Sequence, residues 1–234
     1  MNRLVMLSGP SGVGKGTMEE WLKKLLGSNL CQVQVRKTRA PRPNENEANF
    51  GFKDDKNFYE FECRGSKQRL YFDELDSAIK NNGVVLLESY YKSLEVIRER
   101  YKDSVDFIST FVSPLNVQEI RDLNERGEKL EEYVPKIMFE SLKKRAEKSG
   151  QIVDGNKVLF EDLEKRAKDA VDEMRFAHNY RFVIPNHCHE YDSRWEASQL
   201  VGEPLDVVRS LADIITTGKS YYAVSGEDLG KAIS

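Results

Sequence analysis

Cysteine, histidine and tryptophan are scarce in this sequence: three, three and two among 234 residues. Cys31, Cys63 and Cys188 are odd in number and far apart. That excludes a disulfide framework and fits a reducing compartment. No apolar run approaches the length of a membrane span. The first one, Leu4–Leu7, is too short for a signal peptide, so the expectation is a soluble, cytoplasmic protein. Charge of one sign is also lacking, the formal net charge being −3. A general nucleic-acid binder is usually strongly basic, so neither nucleic acid nor membrane is expected as a partner. There is no internal repeat, no low-complexity tract and no linker rich in Pro, Gly or Ser to divide the chain. A single domain over 1–234 follows. Finally, no Ser/His/Asp or Cys/His arrangement suggests nucleophilic catalysis.

What is present is concentrated near the start. Leu4-Val5-Met6-Leu7 has the character of a short buried strand. Gly9-Pro10-Ser11-Gly12-Val13-Gly14-Lys15-Gly16-Thr17 follows. Met18, Trp21, Leu22, Leu25 and Leu26 then recur at the spacing of one helix face, with Gly27 as a stop. Strand, glycine loop and helix form the setting of a phosphate-binding loop. Its N–H groups turn inward on phosphates, and the helix N-terminus adds positive potential. Lys15 supplies a full charge. An ordinary glycine turn is the bland rival, and three glycines plus a lysine in this setting weigh against it.

Further along, Gln32–Val35 alternates like a strand. Arg36 to Pro43 carries several cations on a stretch stiffened by two prolines, suited to gripping a second phosphate with Arg forks. Phe58–Cys63 and Leu70–Phe72, around Gly65-Ser66-Lys67, predict a hairpin. Helices are predicted over Asp73–Asn82, around Leu94–Ile97, from Val117 to Arg126, through Tyr133–Leu142, from Leu163 to Met174 and around Val207–Ile215. Strands are predicted at 83–87, 105–112 and 182–184. The tail beyond Gly218 is polar and expected to be mobile. Strands alternating with helices imply an α/β fold, a parallel sheet with helices on both faces. Its ligand edge would gather Gly9–Thr17, Glu88 and Asn186 at the carboxyl ends of strands.

The glycine loop together with Thr38-Arg39-Ala40-Pro41-Arg42-Pro43 resembles the guanylate kinase family. Its loop ends in Gly-Lys-Gly-Thr, a variant found among small-molecule kinases. The likeness is strong from Leu4 to Pro43 and recognisable at Arg126-Gly127 and from Arg166 to Asn186. It is weak between Phe50 and Tyr90. It implies a P-loop NTPase-type sheet with a core of about 1–34, 75–120 and 170–217, an acceptor-binding region of about 35–74, a helical lid of about 121–168 and a tail of 218–234. It implies that Gly9, Pro10, Ser11, Gly12, Val13, Gly14, Lys15, Gly16 and Thr17 hold ATP with Mg²⁺, and that Asn186 lies beside the adenine. It implies a catalytic set of Lys15, Arg39, Arg126 and Arg166. Arg39, Arg42, Phe50, Glu60, Tyr71 and Glu88 would hold the acceptor. Glu60 would read the base, with Glu62 as the competing choice two residues on.

Several positions depart from the family pattern. Val35 replaces a serine, Phe50 a tyrosine and Tyr90 one of two acidic residues. The acceptor region is shortened by about two helical turns. Insertions occur between Glu128 and Asp162 and after Asn186. The second insertion contains His187, Cys188, His189 and Glu190. Alternating neighbours in an extended chain point apart and no second ligand cluster is evident, so no metal site is expected there. The implied activity is ATP-dependent transfer to GMP or dGMP by a monomer or homodimer. Two alternatives accompany it. One is a kinase for a different phosphorylated acceptor, a modified nucleotide or sugar phosphate. The other is a non-catalytic phosphoprotein-binding module.

Overall fold

Five short segments become the strands of one parallel sheet. The computed structural model describes residues 2–27, 30–39, 47–63, 65–151, 157–189 and 192–234. β1 (Arg3–Ser8) lies at the centre, with Leu4 to Leu7 fully buried. β2 (Cys31–Gln34), β6 (Val84–Glu88), β7 (Asp106–Ser113) and β8 (Phe182–Pro185) complete the order β2-β6-β1-β7-β8. β6 and β7 flank β1 on opposite sides, so the chain switches direction of travel at β1. Such a switch opens a crevice at the carboxyl ends of the strands. There Leu7 lies in register with Glu88, and Gln34 lies in register with Glu88 from the other side.

A second, antiparallel sheet has the order β3-β5-β4, from β3 (Arg36–Lys37), β4 (Phe58–Cys63) and β5 (Ser66–Tyr71). The hairpin turns at Gly65, whose φ of 74° favours glycine. It ends one residue earlier than the sequence suggests. Phe72 opens the next helix, because Asp73 and Glu74 place acidic groups in a first helical turn.

The helices are α1 (Lys15–Leu26), α2 (Phe72–Asn82), α3 (Leu94–Tyr101), α4 (Val117–Glu125), α5 (Leu130–Lys148), α6 (Lys157–Phe176), α7 (Glu203–Thr217) and α8 (Gly226–Ile233). The apolar stripe of α7 packs on the sheet through Val207, Leu211 and Ile214, all fully buried. α5 and α6 run as a long pair, and α5 leans over the glycine loop. α4 opens with a capping box: Asn116 accepts from Glu119 N at 2.9 Å, and Glu119 accepts from Asn116 N at 2.7 Å.

The tail corrects an expectation. Val224 pairs with Val183, and α8 docks with Leu229 and Ala232 buried. Ser225 caps α8 by accepting from Asp228 N at 3.0 Å. A Cβ on Gly226 would stand 2.2 Å from the Tyr180 carbonyl, so only glycine admits that approach. Two apolar residues and a cap in a polar stretch suffice to anchor it, and overall polarity hides this.

The insertion after Asn186 forms a polar knot. His187 lies between Glu119, 2.7 Å from Nε2, and Glu203, which its Nδ1 also contacts. The Cys188 thiol points at Glu203, 3.3 Å away. Burial and that carboxylate hold the thiol up at about 12. Among the described residues, no group of three or more His, Cys, Asp or Glu side chains converges as a metal site.

Candidate active site

The glycine loop between β1 and α1 is shaped by what surrounds it. Gly9 has φ 144°, and a Cβ there would meet the Val112 carbonyl at 2.5 Å. Gly12, at φ 85°, lies against Leu142 and Ser141 of α5. Two side chains tie down the loop backbone. Ser141 Oγ donates to the Gly12 carbonyl and Asn186 Nδ2 to the Val13 carbonyl, each at 2.7 Å. Lys15 folds back so that Nζ donates to the carbonyls of Gly9 (2.6 Å) and Pro10 (3.1 Å) and lies 3.8 Å from Glu88.

The loop forms one wall of a cleft of about 710 Å³. Lys15 and Glu88 line it together with Arg39 and Phe50, and Arg145 of α5 and Arg166 of α6 complete the lining. Cations outnumber carboxylates along the lining, although the whole chain is slightly acidic. The Arg39 guanidinium lies 5.1 Å over the Phe50 ring, and both residues line the cleft. Arg166 pairs with Asp162 at 2.6 Å, one turn earlier on α6. Ser141, Arg145 and Lys148 recur at i, i+4 and i+7 of α5. One helix face thus carries the loop-holding hydroxyl and two cations to the cleft.

Glu19 faces Lys15 one turn along α1 and is 4% exposed. Its Oε1 has no hydrogen-bond partner. Burial, and then the neighbouring Glu88 carboxylate, push its pKa up to about 8, against the pull of Gln32, Lys15 and Lys23.

The sites expected from the sequence divide clearly. Gly9, Ser11, Gly12, Lys15, Gly16, Arg39, Phe50, Glu88 and Arg166 share the cleft. Pro10, Val13 and Gly14 complete the loop backbone, and Thr17 is half-buried on the first turn of α1. Arg42 lies outside the described residues. Arg126 does not reach the cleft. It caps the C-terminus of α4, more than half exposed, with Nε 2.6 Å from Glu128. Asn186 is fully buried, its amide used by the Val13 carbonyl and by Cys188 N (3.1 Å), so it holds the loop and offers no surface to an adenine.

Glu60 and Tyr71 are turned away by strand parity. Side chains alternate between faces, and paired residues share one. Glu60 stands opposite Arg69, and Phe58 opposite Tyr71, on the outer face. Arg69 Nε donates to Glu60 at 2.8 Å and Lys67 lies 3.1 Å away, holding that carboxyl below its ordinary range. Glu62 shares this face opposite Lys67. Tyr71 is 2% exposed, its hydroxyl accepting from Lys53 N at 2.8 Å. The inner face instead brings Cys63, Ser66 and Gln68 to the cleft, with Gln34 and Asn49 across from them. Sequence reasoning missed Arg145, Ser141, Gln34 and Gln68. The i, i+4, i+7 spacing on α5 and the period of two on β5 are the signals that carry them.

No family model matches the chain. Among curated proteins, a guanylate kinase of Synechococcus sp. (strain JA-3-3Ab) is 30% identical over 157 residues, covering 60% of this chain and 69% of that protein. The chain belongs to the guanylate kinase family. A second member, from Prochlorococcus marinus (strain MIT 9312), is 30% identical over 151 residues, 58% of this chain and 79% of its own. A more distant one, from Mycoplasmopsis synoviae (strain 53), is 23% identical but spans 87% of this chain and 96% of its own. The crystal structure of guanylate kinase from Anaplasma phagocytophilum shares the fold, with a TM-score of 0.53 over 97% of this chain and 93% of that one, at 16% identity.

Proposed function

We propose that this chain transfers the terminal phosphoryl group of ATP to a nucleoside monophosphate, with GMP and dGMP as acceptors. One observation carries the reading: a glycine loop with Lys15 opens into a cleft that Arg39, Arg145 and Arg166 also line. An acceptor phosphate has a second pKa of about 6, so it is already anionic at neutral pH and needs no strong base. The barrier is the approach of two polyanions and the charge on the group in flight. Lys15 leaves the Gly9 and Pro10 carbonyls and turns to the ATP phosphates. Arg39 grips the acceptor phosphate. Arg145 and Arg166 draw the lid helices over the transferring group and exclude water. Arg145 thereby takes the place that the family likeness suggests for Arg126.

Oxygen donors in the cleft suit Mg²⁺, a hard ion usually held by one or two carboxylates plus substrate phosphates. Glu88 at the end of β6 supplies such a carboxylate, while no three-carboxylate cage exists among the described residues. The ion therefore accompanies ATP, and when bound it offsets phosphate charge. The intact loop disfavours a non-catalytic module. No described helix is long and apolar enough to cross a membrane, which accords with a cytoplasmic enzyme.

The test is ADP release with MgATP against GMP, dGMP, AMP, CMP and UMP. GMP and dGMP should turn over, and Lys15→Ala should lower kcat by about 10³. The reading fails if no monophosphate is converted.

A further inference from the structure

Two amides in the cleft keep hydrogen-bonding capacity. Gln68 projects from the inner face of β5, opposite Phe61, and its side-chain amide makes no hydrogen bond among the described residues. Gln34 ends β2 in register with Glu88. Its Oε1 accepts from Asn49 Nδ2, and in that orientation its Nε2 protons remain to offer. Tyr90, beyond the end of β6, adds an aromatic wall, its ring within 13° of parallel to that of Phe61. No carboxylate of β4 or β5 competes, since Glu60 and Glu62 face outward. Glu88, in register with Gln34, lies 3.8 Å from the Lys15 ammonium.

We propose that Gln34 and Gln68 read the acceptor's base as neutral amides, and that the site therefore takes 6-oxopurine monophosphates as a class, IMP as readily as GMP. This deepens the kinase reading above and rests on it.

The chemistry follows from the inventory of donors and acceptors. A 6-oxopurine edge presents O6 as an acceptor and N1–H as a donor. Gln68 satisfies both at once, its Nε2 donating to O6 and its Oε1 accepting from N1–H. Gln34 Nε2 adds a second donor toward O6. A 6-aminopurine reverses the pattern. Gln68 could rotate to match it, but Gln34 would have to turn over together with Asn49, and in the orientation it holds it sets donor against donor, leaving a desolvated N–H unpaired. Guanine's 2-amino group, which distinguishes it from hypoxanthine, meets no carboxylate on this wall. A carboxylate accepting from both N1–H and the 2-amino group would separate the two bases, whereas an amide spent on O6 and N1–H does not. On this account the outward turn of Glu60 and the placement of Gln68 in the cleft are parts of one change in what is read.

The experiment measures kcat/KM with saturating MgATP for GMP, IMP and AMP, in the wild type, Gln68→Leu and Gln68→Glu, with thermal melting of each. The wild type should use GMP and IMP within about threefold, and AMP about 10–100-fold less well. Gln68→Leu should lower both 6-oxopurines together by about tenfold or more while leaving KM for ATP unchanged. Gln68→Glu should raise the GMP-to-IMP ratio by about tenfold, because a carboxylate gains the 2-amino contact. A wild-type preference for GMP over IMP beyond about 100-fold overturns the inference. So does a folded Gln68→Leu variant that uses GMP normally. Either result leaves the kinase reading standing. Failure to phosphorylate any purine monophosphate overturns both.

Discussion

Replacing Asn186 by alanine separates two parts this residue could play. If it touches adenine, its loss changes the choice of donor nucleotide and little else. The structure assigns it the glycine loop instead: Nδ2 on the Val13 carbonyl at 2.7 Å, Oδ1 on Cys188 N at 3.1 Å, and no exposed surface. Alanine strands both buried backbone groups. Each costs about 1–3 kcal/mol when left unpaired. Allowing for partial relaxation, the sum is about 2–4 kcal/mol, a fall in Tm of roughly 5–15 °C for a chain of this size. Loosening the loop should also weaken MgATP and MgGTP by equal factors, about tenfold each, since the loop N–H groups see only phosphates. Thermal melting and calorimetric titration of both nucleotides read the two effects. Asn186→Asp is a useful companion, because it keeps the bond from Cys188 N and sets a carboxylate against the Val13 carbonyl. A Tm within about 2 °C of wild type for Asn186→Ala, with a changed ratio of ATP to GTP affinity, would falsify the loop-holding assignment.

Two further outcomes follow from the same geometry. Gly9→Ala places a Cβ 2.5 Å from the Val112 carbonyl, so the loop must move, and kcat/KM should drop by about 100-fold or more; activity near wild type would show that the loop tolerates displacement. His187 has its pKa raised above 6.5 by its bond to Glu119, against the opposing effect of burial and with help from Glu203. Its proton is thus bound more tightly in the folded state. The resulting stability is full below about pH 6.5 and lost as pH rises through the higher folded value. His187→Gln should cost on the order of 1 kcal/mol at pH 6 and little at pH 9 by urea unfolding, and an equal cost at both would sink the ion-pair account.

The glycine-loop side of the cleft was legible because backbone chemistry dictates it. A loop that wraps phosphates needs glycines at positive φ and a lysine at the helix start, and Gly9 to Lys15 state those needs in contiguous residues. The parallel sheet was legible for a similar reason. Strands buried on both faces read as unbroken apolar runs, as β1 and β6 do. The tail escaped because a helix of eight residues needs only Leu229, Ala232 and a Ser225 cap to dock.

Arg39, Phe50 and Glu88 were legible as cleft residues, but the β4–β5 wall was not, and parity explains why. In a two-faced strand, neighbouring residues belong to different environments, so a motif correct in composition but displaced by one position exchanges its faces. Glu60 carries the residue type expected to read a base, yet its cross-strand partner is Arg69, and a carboxylate beside a guanidinium is already satisfied on the outer face. Pairing register is a property of two strands, and no single stretch contains it. The lid shows the same dependence on partners. Arg126 caps the end of α4 and Arg145 lies on α5, both after β7. Only Arg145 shares a helix face with Ser141, and Ser141 is fixed by the Gly12 carbonyl. Which arginine reaches the cleft is therefore decided by how α5 docks on the glycine loop, and that contact joins residues 129 positions apart.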